Sequence, residues 1–299
     1  MGSLRDKEIP SGVTQYAGKA LNLEQMIMQR RMTDVEKSRF RQYFPRLDVN
    51  SAVVTSEIST AYNCIAWTAG ITDRWIWPGD SIESFDQFYG GLGFKRAADG
   101  EIAAWGISTS SMKHGSISGP GHGPRWESKI GSDLRIQHGL NELVSSSYGR
   151  VLSFYRKGPL PTIKVMRKKL VRRLYLSDAQ KRRLHEERSK IPQNVRIAFD
   201  KLFAAWKKTW FSRGLATSSD PRTRAVGPEY DALVALGPVI LPLVIERLAI
   251  PENFLTLQLY DAVQSNDRLI VQFEPGDERI LEGEQGRAKR VVQAWFVNQ

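Results

Sequence analysis

The chain has 299 residues, of which 41% are apolar and 25% are charged, a globular composition that excludes a disordered chain. Its one cysteine excludes an internal disulfide and the closed zinc sites that need two or more cysteines. We therefore expect a reducing, cytoplasmic setting and neither a metal nor a cofactor. The net charge of +11 is concentrated in residues 150–213, which hold 19 Lys and Arg against 4 Asp and Glu. No apolar run approaches the roughly 18 residues of a membrane span, and the amino terminus shows no secretory signal.

The first part of the chain predicts helices. Residues 1–21 are polar and predict a poorly ordered terminus. Residues 22–45 predict two helices, the second capped by Thr33-Asp34 and ended by Pro45. Two shorter helices follow, one beginning at the cysteine and the next running from Ser84 to Tyr89.

A sheet is predicted after these helices. Its strands are expected at residues 101–107, 113–117, 125–130 and 149–155. One more helix is predicted from Ile136 to Val144, between the last two strands. Helices followed by antiparallel strands indicate an α+β domain, and we place it at residues 22–157.

The remainder predicts helices only. Residues 158–213 form a basic helical segment, residues 214–228 a Ser/Thr/Pro/Gly linker, and residues 229–299 a helical domain. Cations recur at helical spacing in the basic segment, namely Lys168, Lys169, Arg172 and Arg173. A basic stripe favours contact with phosphates, so an acidic partner or a nucleic acid is predicted there. A solvated face or a membrane-surface helix would give the same pattern.

The stretch around Cys64 carries the main chemical signal. Asn63 is a suitable N-cap for a short helix that Gly70 ends, which places the sulfur at a helix start. The partial positive charge of a helix start stabilises a thiolate and lowers the thiol pKa. The alternative is that Cys64 is a small buried apolar residue.

A nucleophilic cysteine needs a base, usually a histidine oriented by a third polar group. Of the four histidines, His114 is the best candidate because a predicted strand carries it between small residues. Glu127 or Ser128 on the next strand is the expected third group. His122, in a Gly/Pro loop, and His185, among charges, are expected in solvent. His138 is either a second site residue or a structural hydrogen bonder, and we favour the structural role.

Trp75 and Trp77 belong to an aromatic loop after the cysteine helix. They either wall a substrate cleft beside Cys64 or belong to the core. We expect the oxyanion of a bound substrate to be held by the Cys64 N–H and the Asn63 side chain.

A set of motifs carries a resemblance over residues 55–157. The motifs are Asn63-Cys64-Ile65-Ala66-Trp67, Arg74-Trp75-Ile76-Trp77-Pro78, His114, Arg125-Trp126-Glu127-Ser128-Lys129-Ile130-Gly131 and Ile136-Gln137-His138. Together they resemble a family of uncharacterised bacterial and fungal domains that is similar to papain-like cysteine hydrolases. The resemblance implies a helix-plus-sheet fold, Cys64 and His114 as the catalytic pair, and Lys129 and His138 as site residues.

Two further features qualify the resemblance. Members usually have a Thr-His pair before an apolar strand, whereas this chain has Lys113-His114-Gly115-Ser116, and Gly115 weakens the predicted strand. Residues 229–297 resemble a helical domain common in fungal proteins, with paired helices similar to repeats of HEAT type.

Two functions compete on these patterns. The first is a thiol hydrolase or acyltransferase acting on an amide or ester bond. The second is a non-catalytic protein whose basic helices bind an acidic partner or a nucleic acid. Rapid alkylation of Cys64 near neutral pH favours the first, and salt-dependent polyanion binding favours the second.

Overall fold

The structure, a computed structural model, describes residues 29–118, 125–158, 174–212, 214–274 and 276–298. It shows an antiparallel sheet followed by a helical region, which confirms the predicted α+β layout. The predictions for residues 1–21, for His122 and for the cations Lys168, Lys169, Arg172 and Arg173 lie outside these residues.

The described residues contain one eight-stranded sheet in the order β1-β2-β7-β6-β5-β4-β8-β3, and every neighbouring pair is antiparallel. Each of the four predicted strands corresponds to an observed one. The strands are β1 Arg30–Arg31, β2 Val53–Ser56, β3 Phe94–Ala97, β4 Ile102–Ser108, β5 Ser111–Ser118, β6 Trp126–Lys129, β7 Arg135–His138 and β8 Arg150–Lys157.

Three helices lie before or within the sheet sequence, and the remaining described helices follow it. They are α1 Asp34–Tyr43, α2 Cys64–Thr68, α3 Ile82–Gly91, α4 Asp178–Ser189, α5 Gln193–Thr209, α6 Pro228–Ala235, α7 Leu241–Leu248, α8 Leu257–Val263 and α9 Gly283–Val297. Thr33 caps α1 in a capping box with Glu36, as its sequence predicts. Gly70 follows α2 with a φ of 67°, a conformation that favours glycine.

The predicted helix from Ile136 to Val144 is wrong. Residues 135–138 form β7, which pairs with β2 on one side and β6 on the other. All four residues of β7 are buried, so the strand shows none of the apolar–polar alternation by which a half-exposed strand is recognised. The spacing of the apolar residues over 136–144 therefore matched the period of a helix.

Apolar clusters cover both faces of the sheet. Helices α2 and α3 pack on one face, where Cys64, Phe85 and Tyr89 are buried. Helix α1 packs on the other face, where Trp105 and Tyr148 are buried. Successive strand residues point to opposite faces, so each polar side chain of a strand lies either on the α2–α3 face or on the α1 face.

The helical region has its own core and shares it with the sheet part. Trp206, Trp210 and Trp295 are buried there, while Phe296 is half-buried. Trp75 from the sheet part belongs to this helical cluster, and Ile280 and Leu281 from the helical part belong to the α2–α3 cluster. The two parts therefore exchange core side chains.

The predicted linker 214–228 packs on the rest of the fold and contains a short 3₁₀ helix, Pro221–Arg224. Its Ala216, Thr217 and Ser219 are buried against the sheet part. The buried Arg224 guanidinium donates to four backbone carbonyls, those of Trp210, Leu215, Ser218 and Asp220. Ser/Thr/Pro/Gly composition predicts irregular backbone, but such backbone can be buried when its carbonyls find donors.

Candidate functional site

Asn63 caps α2 and ties three segments together. Its Oδ1 accepts from the N–H groups of Ala66 and Ile76, at 3.1 and 3.2 Å. Its Nδ2 donates to the carbonyls of Ile76 and Ser219, at 2.7 and 3.0 Å. The cap confirms the predicted helix start. The amide is fully used within the fold, so it is not free for the oxyanion role that the sequence suggested.

Cys64 is fully buried, and its surroundings act on the thiol in two opposed ways. Burial raises the pKa of the thiol to about 11. The Ser219 hydroxyl, the N–H groups of Gly115 and Ile65 and the Lys129 ammonium each lower that pKa. Burial alone therefore opposes the thiolate, while every specific contact of the sulfur favours it.

Ser219 also holds the backbone at this point. The Cys64 N–H, the predicted oxyanion donor, donates to Ser219 Oγ at 3.4 Å. The hydroxyl thus lies between the first N–H of α2 and the sulfur. In this structure a side chain from a distant segment takes the position that we predicted for a substrate oxygen.

Gly115 gives α2 room to approach β5 closely. A Cβ at this position would lie 3.0 Å from the Tyr89 hydroxyl and 3.2 Å from Ile65 Cδ1 and Thr68 Cγ2. The β5–β6 ladder pairs Ile117 with Glu127 and Ser118 with Trp126, and Gly115 lies beyond it. The sequence suggested that this glycine weakens the strand. In the structure it leaves room for α2, and its N–H hydrogen bonds to the Cys64 sulfur.

Lys129 is buried near the cysteine. Its Nζ donates to the carbonyls of Gly131 and Asp133, at 2.8 and 2.6 Å, and lies 5.2 Å from the centre of the Tyr62 ring. Burial lowers the pKa of this lysine to about 7, while Asp133 and the Cys64 thiolate act to raise it. Burial is the largest effect on this lysine and favours its neutral amine form.

His114 lies on β5, directly before Gly115, and points to the opposite face of the sheet. Its imidazole stacks on Tyr148, with ring centres 4.0 Å apart, and meets the edge of Trp105. Neither ring nitrogen has a hydrogen-bond partner among the described residues, so the predicted bond to Cys64 is not formed. Burial, and next the charge of His138, lower the pKa of His114 well below 6.5.

The two candidates for a third group have other partners. Glu127 forms an ion pair with Arg135 at 2.6 Å and accepts from the Thr55 hydroxyl. Ser128 Oγ lies 2.8 Å from His138 Nε2, on the α1 face of the sheet. Neither residue hydrogen bonds to His114, which corrects the predicted orientation of its imidazole.

Ser128 belongs to a buried chain of hydrogen bonds whose direction follows from its ends. His138 Nδ1 lies 2.8 Å from the Gly139 carbonyl and must donate to it, so Nε2 accepts from Ser128. Trp105 Nε1, which only donates, meets Ser116 Oγ at 2.9 Å, and Ser116 in turn lies 2.7 Å from Ser128. The chain thus joins β4, β5, β6 and β7 and satisfies His138, which supports the structural role we favoured.

The aromatic loop does not wall a cleft at Cys64. Trp75 is fully buried between Phe211 and Phe254, and its indole N–H donates to the Thr60 carbonyl. Trp77 is half-buried and packs on Phe85.

A cavity of about 480 Å³ does lie between the sheet part and the helical part. Thr60, Asp73, Phe211, Glu252, Phe254 and Lys289 are among the residues that line it, and neither tryptophan of the loop nor Cys64 does.

One residue at this site, Ser219, was not predicted from the sequence, and Lys129 was predicted only through the resemblance. Ser219 lies 155 residues beyond Cys64 in a segment interpreted as a linker, and no local pattern marks it. The local sequence does not predict the burial of Lys129, because a lysine in a short strand is usually exposed and its burial depends on the whole fold. His185, predicted at the surface, is exposed.

The described residues show neither a metal cluster nor a membrane helix. Within the part of the chain that the structure describes, no three His, Cys, Asp or Glu side chains are grouped to hold a metal ion. In that same part, every helix is too short or too polar to cross a bilayer.

Comparison with known proteins gives one match. Residues 53–156, about a third of the chain from β2 to β8, match the model of a family described as a domain of unknown function, DUF7689. No curated protein and no solved structure matches the chain. The matched residues include Cys64, His114 and Lys129, whereas Ser219 lies outside them.

Proposed function

We propose that the chain is a thiol hydrolase or acyltransferase in which Cys64 attacks an amide or ester carbonyl. The proposal rests on two opposed effects on the pKa of the Cys64 thiol. Ser219, Gly115, Ile65 and Lys129 all favour the thiolate, and only burial raises the thiol pKa. A cysteine that merely fills apolar space has no need of such contacts. The motif-level resemblance to papain-like hydrolases over residues 55–157 points the same way.

Lys129 is the proton acceptor that the pKa values favour. A general base works best when its pKa lies near the operating pH, and the pKa of Lys129 is about 7. His114, with its pKa well below 6.5, is a weaker base and makes no hydrogen bond to the sulfur. We therefore assign the base to Lys129 rather than to His114, the base expected from the sequence.

The reaction follows in two balanced steps. The Cys64 thiol gives its proton to the Lys129 amine, the sulfur attacks the carbonyl carbon, and a C–S bond replaces the C–N or C–O bond. The leaving amine or alcohol takes the proton from the lysine. Water, or an acceptor amine or alcohol in a transfer reaction, then attacks the thioester and returns the sulfur to a thiol.

Burial keeps most of the population in the neutral thiol form, so we expect acetylation of the folded chain to be slow rather than absent. Exposure of the sulfur would remove the one effect that opposes ionisation.

The test uses p-nitrophenyl acetate and the intact chain. We expect an acetyl group on Cys64, detected by mass spectrometry, followed by turnover, and Cys64→Ser should abolish both. Lys129→Met should slow acetylation by about 10²-fold, the smaller end of what general base catalysis contributes. His114→Phe keeps the ring on Tyr148 and should change the rate by less than about threefold, since removing an unpartnered imidazole costs little.

Two results would overturn the proposal. One is the absence of acetylated Cys64 in a folded chain, and the other is an acetylation rate that Lys129→Met leaves unchanged. A large loss in His114→Phe with none in Lys129→Met would return the base to His114. Circular dichroism of each variant shows whether the fold is retained.

A second candidate is a binding protein without catalysis, and the cavity between the two parts favours it. Aromatic and charged side chains line it together, which is typical of small-molecule sites, and Cys64 is not among its lining residues. A folded chain in which Cys64 is never acylated would favour this candidate. The proposed contact with an acidic partner or nucleic acid involves residues outside those described and remains a prediction.

A further inference from the structure

We propose that the Cys64 site takes a polypeptide segment, and that residues 216–219 of the chain, which leave a hydrogen-bonded turn, occupy it as an intramolecular stand-in. The inference rests on the proposed function, because it names the substrate class of that site and a means of keeping it closed. We call the segment 216–219 the strap.

The strap is held mainly through its backbone carbonyls. The Ala216 carbonyl accepts from the N–H and the hydroxyl of Ser132, at 2.8 and 3.2 Å. The Thr217 carbonyl accepts from the Tyr148 hydroxyl at 2.9 Å. The Ser219 carbonyl accepts from the Asn63 amide at 3.0 Å. Donors of the sheet part therefore bind three of the four strap carbonyls.

The sheet part is shaped for this approach. Gly131 has a φ of 46°, and a Cβ there would lie 2.2 Å from the Ala216 carbonyl oxygen and 2.6 Å from Thr217 C. Only glycine lets the strap backbone lie this close. The sheet part thus combines a glycine at the point of closest approach with donors for the strap backbone, and Asn63 is the donor next to Cys64 in the chain.

These contacts indicate a polypeptide ligand rather than a small ester. Recognition through main-chain carbonyls binds peptides with little dependence on side chains, and the strap side chains are small. The strap also supplies the Ser219 hydroxyl that lies on the Cys64 N–H. A peptide substrate that displaced the strap would bring a carbonyl oxygen to that same N–H.

The first experiment displaces the strap from the site. Cys64 is the only cysteine, so its alkylation by iodoacetamide reports exposure of the sulfur without any activity assay. Gly131→Ala should raise the alkylation rate by about tenfold or more, because its methyl group collides with the strap backbone and favours local opening. Gly214→Ala, where a Cβ meets nothing within 4 Å, is the matched control and should alkylate at the parent rate.

The second experiment offers the ligand in trans while the site stays intact. Arg224→Met removes the donors that hold Leu215 and Ser218, and so loosens the strap. The peptide Gly-Leu-Ala-Thr-Ser-Ser-Asp, residues 214–220, should slow alkylation of this variant severalfold, and a scrambled peptide should not. If Arg224→Met does not fold, Ala216→Gly/Thr217→Gly loosens the strap through backbone entropy alone.

Parent-rate alkylation of folded Gly131→Ala would overturn the inference, and so would a peptide that gives no protection. The proposed function fails on a different observation. If strap release speeds alkylation but the pH midpoint remains that of an ordinary thiol, the strap controls access and the site does not activate the sulfur.

Discussion

At the residue scale, Lys129 shows how burial lowers the pKa of an ordinary lysine into the range where it can accept a proton. Two carbonyls and the Tyr62 ring surround its ammonium, yet burial is the largest effect and lowers its pKa from 10.5 to about 7. A lysine near neutrality beside a thiol is unusual for a purely structural role. The same shift has a consequence for stability.

The stability of the chain should rise between pH 7 and 9 because of Lys129. In this window the unfolded chain keeps the lysine proton that the folded chain has lost, so the free energy of unfolding increases with pH. Two pH units correspond to at most about 2.7 kcal/mol. Above pH 9 the raised pKa of Cys64 acts in the opposite direction.

Urea unfolding at several pH values checks this expectation. Lys129→Met should remove most of the rise between pH 7 and 9, and Lys208→Met, at an exposed lysine of α5, should retain it. Equal slopes in the two variants would show that Lys129 keeps its proton in the folded chain.

At the element scale, polar side chains fix how the central strands meet. The chain from Trp105 through Ser116 and Ser128 to His138 crosses β4, β5, β6 and β7 inside the α1-side core. Each member uses a donor or acceptor that would otherwise be buried without a partner.

Ser128→Ala should destabilise the fold because it interrupts this chain at its middle. It leaves the Ser116 hydroxyl without its acceptor and His138 Nε2 without its donor, at about 1–3 kcal/mol for each buried group. Ser118→Ala, at a half-buried serine of β5, is the control and should change stability by less than about 0.5 kcal/mol. A stable Ser128→Ala with lost turnover would instead restore Ser128 as a catalytic residue.

At the scale of the whole molecule, the sheet part and the helical part are built as one core. Trp75 is buried among helical side chains, while Ile280 and Leu281 are buried among those of α2 and α3. The Trp75 backbone N–H donates to Gln285 of α9, and its carbonyl accepts from Glu284. Neither part can bury these side chains alone.

Cleavage within residues 225–228, beyond the strap, should therefore leave two fragments that remain associated. A protease site inserted there and a sizing column without denaturant test this directly. Trp75→Ala should weaken the association, since removal of a buried tryptophan costs about 3–5 kcal/mol, whereas Trp77→Ala at the half-buried position should weaken it less. Fragments of the parent chain that elute separately would contradict the shared core.

The sequence by itself determined the local elements of this protein. Thr33 and Asn63 marked helix starts because their side chains cap free N–H groups, and Gly70 marked a helix end because it adopts a positive φ. Strands β4, β5, β6 and β8 were recognised. Arg30–Arg31, predicted within the helical stretch 22–45, form β1 instead, and β7 was predicted as a helix, since a strand buried on both faces loses its alternation.

Only the tertiary structure decided the site. The alternation of side chains along a strand sets which residues share a face, but it does not tell which helix covers that face. His114 was therefore predicted to contact Cys64, whereas it lies on the opposite face of the sheet. Ser219 reaches Cys64 across 155 residues, and Lys129 acquires its pKa of about 7 from burial that the whole fold creates. Contacts between distant segments, and the desolvation they produce, leave no signal in the local order of residues.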